Sequence, residues 1–409
     1  MSLLHILMAY LRSRWQTRPG RNRAQFLAWQ GRQLRHWHRR RLPEVAYYAD
    51  HSGPLPITDK ALMMARFAEF NTAGISADQA WAAIADTRQI GNLTVGASTG
   101  TSGNRGLFVI SDAERYQWLG VLLAKALPDV WRKHRVAVIL PLHTALYDSA
   151  RHSRIDLRFH NLNLGLEALL PGLADQMPDV IVAPPKVLVW LAQQATLLRP
   201  QRLFAAAETL DPPDRVRIEA GFGVKLGQIY MATEGLLGVT CAQGTLHLAE
   251  DVVHFEWEPF GDLVTPLISG FTRTTQILSR YRMNDLLRLA PSPCPCGSPL
   301  QAVDEIVGRA DDSFRFAESL LLTPDILRNA VLNADRRITD FRLHQISEAH
   351  LRLILPPDLP PECTLAAQDA LLGLLARHGL TARIETLSAP LAPDPSRKLR
   401  RITRMVPDG

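Results

Sequence analysis

Cysteine is scarce in this chain of 409 residues. Its four cysteines, Cys241, Cys294, Cys296 and Cys363, are too few for a disulfide framework in a protein of this length. The apolar stretch at residues 3–11 is too short to span a bilayer, and it lacks the basic leader and small-residue cleavage site of an export signal. We therefore expect a soluble, cytoplasmic protein without a transmembrane segment.

Acidic residues are absent from the first 43 positions, which contain ten arginines. Because the formal charge of the whole chain is +6, the remainder is negatively charged overall. Such a basic segment could bind nucleic acid, anionic lipid or an acidic partner, or it could form two helices that pack on the body. Apolar residues at near-helical spacing favour two helices that pack on the body, so we expect no nucleic-acid partner. These residues are Phe26, Leu27, Trp29, Leu34 and Trp37.

Glycine and hydroxyl residues are concentrated at residues 96–106, where a glycine recurs at every third position from Gly100. Such a loop turns backbone N–H groups toward one point and adds hydroxyl donors, which suits a nucleoside triphosphate. It has neither the Walker A lysine nor the Rossmann glycine spacing, and a flexible linker is the alternative interpretation. The candidate nucleotide-binding residues of the loop are Ser98, Thr99, Gly100, Thr101, Ser102, Gly103 and Arg105.

Short apolar runs alternate with helical patterns from residue 107 to residue 230, which predicts an α/β fold with mostly parallel sheets flanked by helices. A capping box at Ser111 predicts a helix to about residue 131. Residues 244–289 alternate as in an antiparallel subdomain of hairpins, and a small mobile α+β domain follows, with a helix from about residue 365. We predict an Arg-rich helical segment at 1–53, a core domain at 54–309, and a small domain at 310–409 after a hinge at Asp311.

Four further segments follow the loop in order: Ala206-Ala207-Glu208, Tyr-Met-Ala-Thr-Glu-Gly at 230–235, Tyr-Arg-Met-Asn-Asp-Leu at 281–286, and Gly-Arg-Ala-Asp-Asp at 308–312. With the loop, they resemble the core motifs of the adenylate-forming ligase superfamily. They are most similar to those of the phenylacetate-CoA ligases and the deazaflavin-coenzyme adenylating synthetases. The resemblance extends from about residue 54 to the last residue. It implies ATP- and Mg²⁺-dependent adenylation of a carboxylic acid, with release of pyrophosphate and transfer of the acyl group to CoA or a phosphopantetheinyl carrier protein.

The resemblance also implies roles for single residues. Glu234 would hold the metal and Thr233 would contact phosphate, while Lys398 would bring a positive charge to the reacting phosphoryl group. The implied nucleotide contacts are Glu208, Tyr230 at adenine, Asp285 at the ribose, and Arg309. The implied acid pocket contains small and aromatic side chains, namely His143, Tyr147, Ala207 and Ala232.

Each of these residues also has an ordinary interpretation. Tyr230 could belong to the core, Asp285 could cap a helix, and Arg309 could be a surface charge. Lys398 could lie in a basic tail, because Arg397 stands where the superfamily usually has a glycine before its lysine. Arg400 or Arg401 could also be aligned with that lysine in place of Lys398. The phosphate loop likewise ends in Asn-Arg, where the superfamily carries Pro-Lys.

Cys294 and Cys296 form a Cys-Pro-Cys sequence that could complete a tetrahedral zinc site with Cys241 and His247. The spacing is tighter than the common Cys-x₂-Cys, and free thiols are the alternative. If Cys241 and His247 share a strand, their offset of six residues places both on one face.

Two other functions compete with acid activation. One is a nucleotidyltransferase that adenylates a phosphate- or phenol-bearing cofactor, as the deazaflavin branch does. The other is an inactive, zinc-stabilised basic binding protein.

Overall fold

A computed structural model describes residues 2–98, 105–141, 154–194, 198–316, 320–391 and 399–405. They divide into two compact units. The first unit contains Met1–Met283 and Leu289–Asp304, and the second contains Asn284–Arg288, Glu305–Asp394 and Leu399–Gly409. The predicted segment at 1–53 lies within the first unit, and the division at 53/54 and 309/310 stays a prediction.

The helices begin mostly at residues with capping or helix-starting chemistry. Asn22, Asp59, Ser76 and Ser111 each accept a hydrogen bond from a backbone N–H in the first turn of the helix that follows. The helices are α1 Ser2–Gln16, α2 Arg23–Arg41, α3 Ala46–Ala49, α4 Lys60–Ala65, α5 Ala77–Ala85, α6 Asp112–Ala126, α7 Leu170–Gln176, α8 Pro185–Gln193, α9 Pro212–Phe222, α10 Pro324–Leu332 and α11 Pro361–Arg377.

Two helix boundaries differ from the prediction. Helix α6 ends at Ala126 and not near residue 131, because Pro128 disfavours the helical conformation at Leu127, whose φ is −128° and ψ is 71°. Helix α11 begins at Pro361 and not near residue 365, since proline is well suited to the first turn of a helix.

The strands are short. They are β1 Gln89–Ile90, β2 Leu93–Ala97, β3 Leu107–Ser111, β4 His134–Leu140, β5 Ile155–Asn161, β6 Val180–Ala183, β7 Arg202–Ala205, β8 Leu226–Ala232, β9 Gly235–Thr240, β10 Leu246–Leu248, β11 His254–Phe260, β12 Leu263–Ser269, β13 Tyr281–Arg282, β14 Asp285–Leu289, β15 Ala302–Arg309, β16 Phe314–Arg315, β17 Leu321–Leu322, β18 Arg342–Ser347, β19 His350–Leu355, β20 Arg383–Ser388 and β21 Ile402–Arg404.

The main sheet of the first unit has a parallel part in the order β5-β4-β6-β7-β8. Strands β9 and β10 continue it in antiparallel fashion, and β11 and β12 form an antiparallel hairpin. Strand β4 is apolar on both faces: Val136 and Val138 pack in one hydrophobic cluster, Ala137 and Ile139 in another. The predicted fold class, a parallel sheet flanked by helices with an antiparallel part, is confirmed.

The N-terminal helices α1 and α2 belong to the first unit. Phe26 and Trp37 of α2 are buried, as their spacing predicts, whereas Leu27, which we expected to pack, is 42% exposed. None of the helices in the described residues is both long enough and apolar enough to cross a membrane.

The second unit is a small α+β structure. Its sheet has the order β20-β19-β18-β21, with an antiparallel pair at its centre and parallel pairs at both edges. Helices α10 and α11 supply buried residues to its hydrophobic core.

Candidate functional site

The ends of the Ser/Thr/Gly loop are held together by the antiparallel pair β2–β3, in which Ala97 is opposite Leu107. The backbone N–H of Ser98 donates to Gly106 O at 2.8 Å, and the N–H of Gly106 donates to Ser98 Oγ at 2.8 Å. Ser98 therefore closes the loop with both its backbone and its side chain. The predicted ligands Thr99, Gly100, Thr101, Ser102 and Gly103 lie outside the described residues.

Arg105 lies across the base of this loop. Its Nε donates to Ser98 O at 3.1 Å, and its guanidinium carbon is 4.9 Å from the centre of the Trp81 ring on α5. A guanidinium is attracted to an aromatic face in this arrangement. The side chain thus joins the loop to α5, and a contact with phosphate stays a prediction.

Thr233 and Glu234 form the two-residue turn between β8 and β9, because Ala232 pairs with Gly235 across the strands. Gly235 has a φ of +142°, which glycine adopts at low cost. A register shift between Tyr230 and Met231 marks a β-bulge shortly before this turn, a feature frequent near functional sites. Thr233 Oγ1 donates to Glu234 Oε2 at 2.9 Å, so the hairpin tip presents a hydroxyl and a carboxylate together.

The loop end and the hairpin tip are neighbours. A Cβ atom built on Gly106 would lie 3.4 Å from Thr233 Oγ1 and 3.2 Å from Cε of Lys60, the first residue of α4. Glycine at this position therefore lets a hydroxyl and a lysine side chain approach the backbone of the loop. Sequence reasoning missed Lys60, although its place directly after the capping residue Asp59 marked it as a cation at a helix start.

The predicted motif Ala206-Ala207-Glu208 contains a strained residue and a buried ion pair. Ala207 has a left-handed φ of +70°, a conformation that costs a residue with a side chain about 1 kcal/mol or more. Next to it, Glu208 Oε1 lies 3.1 Å from Lys186 Nζ, and the two side chains are 4% and 11% exposed. Lys186 was not predicted, because it lies on α8 and meets Glu208 only in the folded sheet.

The remaining predicted residues of the first unit are placed as follows. Tyr230 is buried, as a core residue would be, and its contact with adenine stays a prediction. Ala207 is exposed and Ala232 is half-buried. His143 and Tyr147 lie outside the described residues.

A cleft lies beside the hairpin tip in the first unit. It is lined by Glu234 and Gly235 together with Ile110, Glu114, Gln117, Trp118, Val121, Leu236, Val252, Val253, Gly270, Thr272 and Arg273. Burial raises the pKa of Glu114, but the Arg273 guanidinium and hydrogen bonds from Thr274, Thr275 and Ser111 outweigh burial and lower it to about 2. Glu114 is thus a charged carboxylate that fixes one wall of this cleft.

The predicted residues of the second unit lie on adjoining elements. Asp285 begins β14 and Arg309 ends β15, where its Nη2 lies 2.9 Å from Asp311 Oδ2. The N–H of Asp311 donates to Asn284 Oδ1 at 3.2 Å. Asp311 lies in a single 3₁₀ turn, Ala310–Asp312, and its role as a hinge stays a prediction.

Lys398 lies outside the described residues, but its basic neighbours do not. Arg400 forms an ion pair with Asp312, and Arg401 Nε lies 2.9 Å from Asp340 Oδ1. Burial raises the pKa of Asp312, although Arg400 opposes the shift. Both arginines that could have been aligned in place of Lys398 are therefore ion-paired with carboxylates of their own unit.

Four predicted metal ligands of the first unit converge. The ligand atoms of Cys241, His247, Cys294 and Cys296 all lie within 4.8 Å of one another. Cys241 Sγ is 3.8 Å from Cys294 Sγ, and Cys296 Sγ is 3.3 Å from His247 Nε2. Tetrahedral zinc with bonds of about 2.3 Å to sulfur separates its sulfur ligands by about 3.8 Å, so the set fits this ion.

The surroundings of His247 favour ligation through Nε2. Its Nδ1 lies 3.2 Å from Leu300 O, so Nδ1–H donates to the carbonyl and Nε2 is left for a metal. Burial lowers the pKa of His247, although the Leu300 carbonyl opposes the shift, and the ring is neutral at pH 7.

The route by which Cys241 and His247 meet differs from the shared strand that we considered. Cys241 follows β9, whereas His247 lies in β10. The N–H of Cys241 donates to Thr245 O at 2.8 Å, and that of Gly244 donates to Cys241 O at 2.9 Å. A tight turn between antiparallel strands, and not strand alternation, therefore brings the two ligands together.

Comparison with known proteins gives structural matches alone. No family model matches the chain, and no curated protein matches it in sequence. A 2-hydroxyisobutyryl-CoA ligase in complex with 2-HIB-AMP has a TM-score of 0.68 at 16% identity, over 96% of this chain and 91% of the ligase.

Two further solved structures also match the chain. Fatty acyl-adenylate ligases from E. coli and L. pneumophila give a TM-score of 0.53 at 13% identity, over 75% of this chain and 67% of theirs. An anthranilate CoA ligase in complex with anthranoyl-AMP gives 0.53 at 13% identity, over 74% and 64%. The fold expected from the sequence motifs is thereby confirmed, and the closer branch stays a prediction.

Proposed function

We propose that this chain, which has the fold of the adenylate-forming ligases, uses ATP to convert a carboxylic acid into an acyl-adenylate with release of pyrophosphate. The observation that carries the proposal is the meeting of three elements at one point. The end of the Ser/Thr/Gly loop, the Thr233 hydroxyl and the Lys60 side chain all lie at Gly106. Amide, hydroxyl and ammonium donors are the groups that bind a polyphosphate.

The reaction joins one carboxylate oxygen to the α-phosphorus of ATP and breaks the bond from that phosphorus to the oxygen leading to the β-phosphate. Pyrophosphate leaves with the electrons of the broken bond. Two anions must approach, so donors at the phosphates lower the barrier. In this proposal the loop and Lys60 bind the β- and γ-phosphates, and Lys398 contacts the reacting phosphoryl group.

The oxygen donors at the hairpin tip are those that Mg²⁺ prefers. Glu234 would hold the ion, with its carboxylate oriented by the hydroxyl of Thr233. When bound, Mg²⁺ neutralises phosphate charge and orients the triphosphate for in-line displacement.

The acid is an aryl or short acyl group in this proposal, and CoA or a carrier-protein phosphopantetheine accepts it. The small side chains Ala207 and Ala232 support a compact substrate. The matched ligases include structures that hold 2-HIB-AMP and anthranoyl-AMP, which are adenylates of small acids.

Trapping with hydroxylamine tests the proposal. Incubation with ATP, Mg²⁺ and a panel of aryl, short-chain and long-chain acids should yield a hydroxamate and AMP with at least one small acid. Subsequent addition of CoA or a holo carrier protein identifies the acceptor. Transfer of AMP to a phosphate or phenol, without hydroxamate, would replace the proposal by the nucleotidyltransferase alternative.

We also propose that zinc binds the cluster of Cys241, His247, Cys294 and Cys296 in a structural role. The site would join the β9–β10 turn to the segment before β15, and four protein ligands leave no open position for substrate.

A further inference from the structure

Helix α1 has two apolar faces, and the body of the first unit covers one of them. Ala9, Tyr10 and Ser13 are buried against the body. Gly120 of α6 permits very close packing, because a Cβ atom there would lie 2.4 Å from Ile6 O. The inner face therefore fits closely onto α6.

Polar contacts fix the orientation of α1. Ser13 Oγ donates to Asp251 Oδ2 at 2.7 Å, and Asp251 forms a buried ion pair of 2.8 Å with Lys125 of α6. The hydroxyl of Tyr10 donates to Pro128 O at 2.8 Å. Because these side chains hold the inner face, the opposite face of α1 is directed away from the body.

That opposite face is apolar and exposed. We call Leu4, Leu7, Met8, Leu11 and Trp15 the outer stripe; each is between 49% and 63% exposed. Since an α-helix turns about 100° per residue, the five side chains fall within an arc of about 100°, bordered by Arg14 on one side and Arg12 on the other. A narrow apolar stripe with a basic residue at each border is typical of a helix that lies in a membrane interface.

The charge of the N-terminal segment that contains α1 selects the partner of the outer stripe. The first 43 residues contain ten arginines and no acid, and exposed arginines include Arg12, Arg14, Arg18, Arg32, Arg35, Arg39 and Arg40. A second copy of this chain would bring two such cationic segments together, which is electrostatically unfavourable. An anionic lipid surface offers both negative charge for the arginines and an apolar layer for the stripe.

We propose that α1 lies flat on an anionic lipid surface, with the outer stripe at the boundary of headgroups and acyl chains and with the bordering arginines at lipid phosphates. Trp15 has the side chain favoured at such a boundary, and the Arg18 guanidinium lies 4.0 Å from the centre of its ring. The assignment concerns attachment to the surface and is independent of the reaction proposed above.

Sedimentation of the full chain with vesicles tests this proposal. The probes are phosphatidylcholine vesicles with and without about one-quarter phosphatidylglycerol. We expect binding to the phosphatidylglycerol vesicles that weakens as salt is raised, and at least about tenfold weaker binding to phosphatidylcholine alone.

Two matched triple variants distinguish vesicle binding through the outer stripe from vesicle binding through exposed apolar side chains elsewhere on the protein. Leu4→Gln/Leu7→Gln/Leu11→Gln should lower partitioning at least about tenfold while leaving the thermal midpoint unchanged, since these side chains are exposed. Val216→Gln/Leu365→Gln/Leu372→Gln, at exposed apolar positions of α9 and α11, should bind vesicles like the parent. Arg12→Gln/Arg14→Gln should weaken binding to the anionic vesicles selectively.

Three results would overturn the assignment. They are absence of binding to the phosphatidylglycerol vesicles, unchanged binding of the outer-stripe variant, and equal binding to both vesicle types. A dimer in solution that the outer-stripe variant abolishes, without vesicle binding by the parent, would assign the stripe to a second copy instead.

Discussion

Ser98 and Gly106 are hydrogen-bonded twice, at 2.8 Å from Ser98 N to Gly106 O and at 2.8 Å from Gly106 N to Ser98 Oγ. The second bond uses a side chain, so it can be removed without changing the backbone. It closes the loop that we propose to bind the triphosphate, and the same glycine lies against Lys60 and Thr233.

Ser98→Ala should therefore weaken ATP binding without unfolding the protein. Loss of one hydrogen bond costs about 1 kcal/mol, which corresponds to a KM for ATP raised about fivefold. Steady-state kinetics with varied ATP checks this value. Ser98→Thr, which keeps the hydroxyl, should retain a KM near that of the parent, and an equal rise in both variants would show that the hydrogen bond from Gly106 N to Ser98 Oγ is not the cause.

Lys60→Met should lower kcat/KM for ATP by about 10²-fold, because the variant lacks a cation placed at the loop end. Lys225→Met changes an exposed lysine of the same unit and should leave the kinetics unchanged. Lys60→Arg should recover part of the loss. Activity of Lys60→Met equal to that of the Lys225 variant would place the phosphates elsewhere.

Glu114 should make stability depend on pH in a defined range. Its pKa is lowered from 4.5 to about 2 in the folded state, so its stabilising effect is complete above pH 4.5 and is lost as the pH falls toward 2. At pH 7, Glu114→Gln should lower the free energy of unfolding by about 3 kcal/mol, and the difference from the parent should shrink below pH 4.5.

Urea unfolding of both proteins at pH 7 and pH 3 measures this effect. Asp112→Asn, at an exposed position in the first turn of the same helix, serves as the control and should change stability by less than about 1 kcal/mol. A deficit of Glu114→Gln that is equally large at both pH values would show that packing, and not charge, is responsible.

Purified protein should contain one zinc ion per chain, and Cys241→Ser should lose it. Removal of one ligand from a closed site also lowers stability, since metal binding is coupled to folding. Metal analysis and thermal unfolding check both effects. Cys363→Ser changes a buried cysteine of the second unit and should retain zinc, even where it lowers the unfolding midpoint.

Local chemistry made part of this structure predictable. The capping box at Ser111 located the start of α6, and apolar runs located the parallel strands β4, β6, β7 and β8, because both signals lie within a few residues of the element they specify. The parallel strand β5 was not predicted, since its sequence alternates with charged and polar residues. The short motifs, taken in their order along the chain, indicated the fold. Each motif could be recognised without the structure, since it is contained in a single short segment. The four zinc-ligand candidates were proposed from residue type and from the short Cys-Pro-Cys spacing, and their ligand atoms converge in the structure.

Contacts that form only on folding were not predictable. Lys60 reaches Gly106 across 46 positions of sequence, and Lys186 meets Glu208 through the order of the strands. The sequence of α1 is apolar around most of the helix, so its pattern could not show that Ala9 faces the body while Leu4 faces outward. That distinction depends on the glycine of α6 and on the partner of Ser13.

Exchange of labelled pyrophosphate into ATP tests the central claim most directly. We predict exchange that requires a carboxylic acid and Mg²⁺, is strongest with one small acyl or aryl acid, and falls by about 10²-fold or more in Glu234→Gln. Exchange that no acid of the panel stimulates, or that Glu234→Gln leaves unchanged, would contradict acid adenylation at this site.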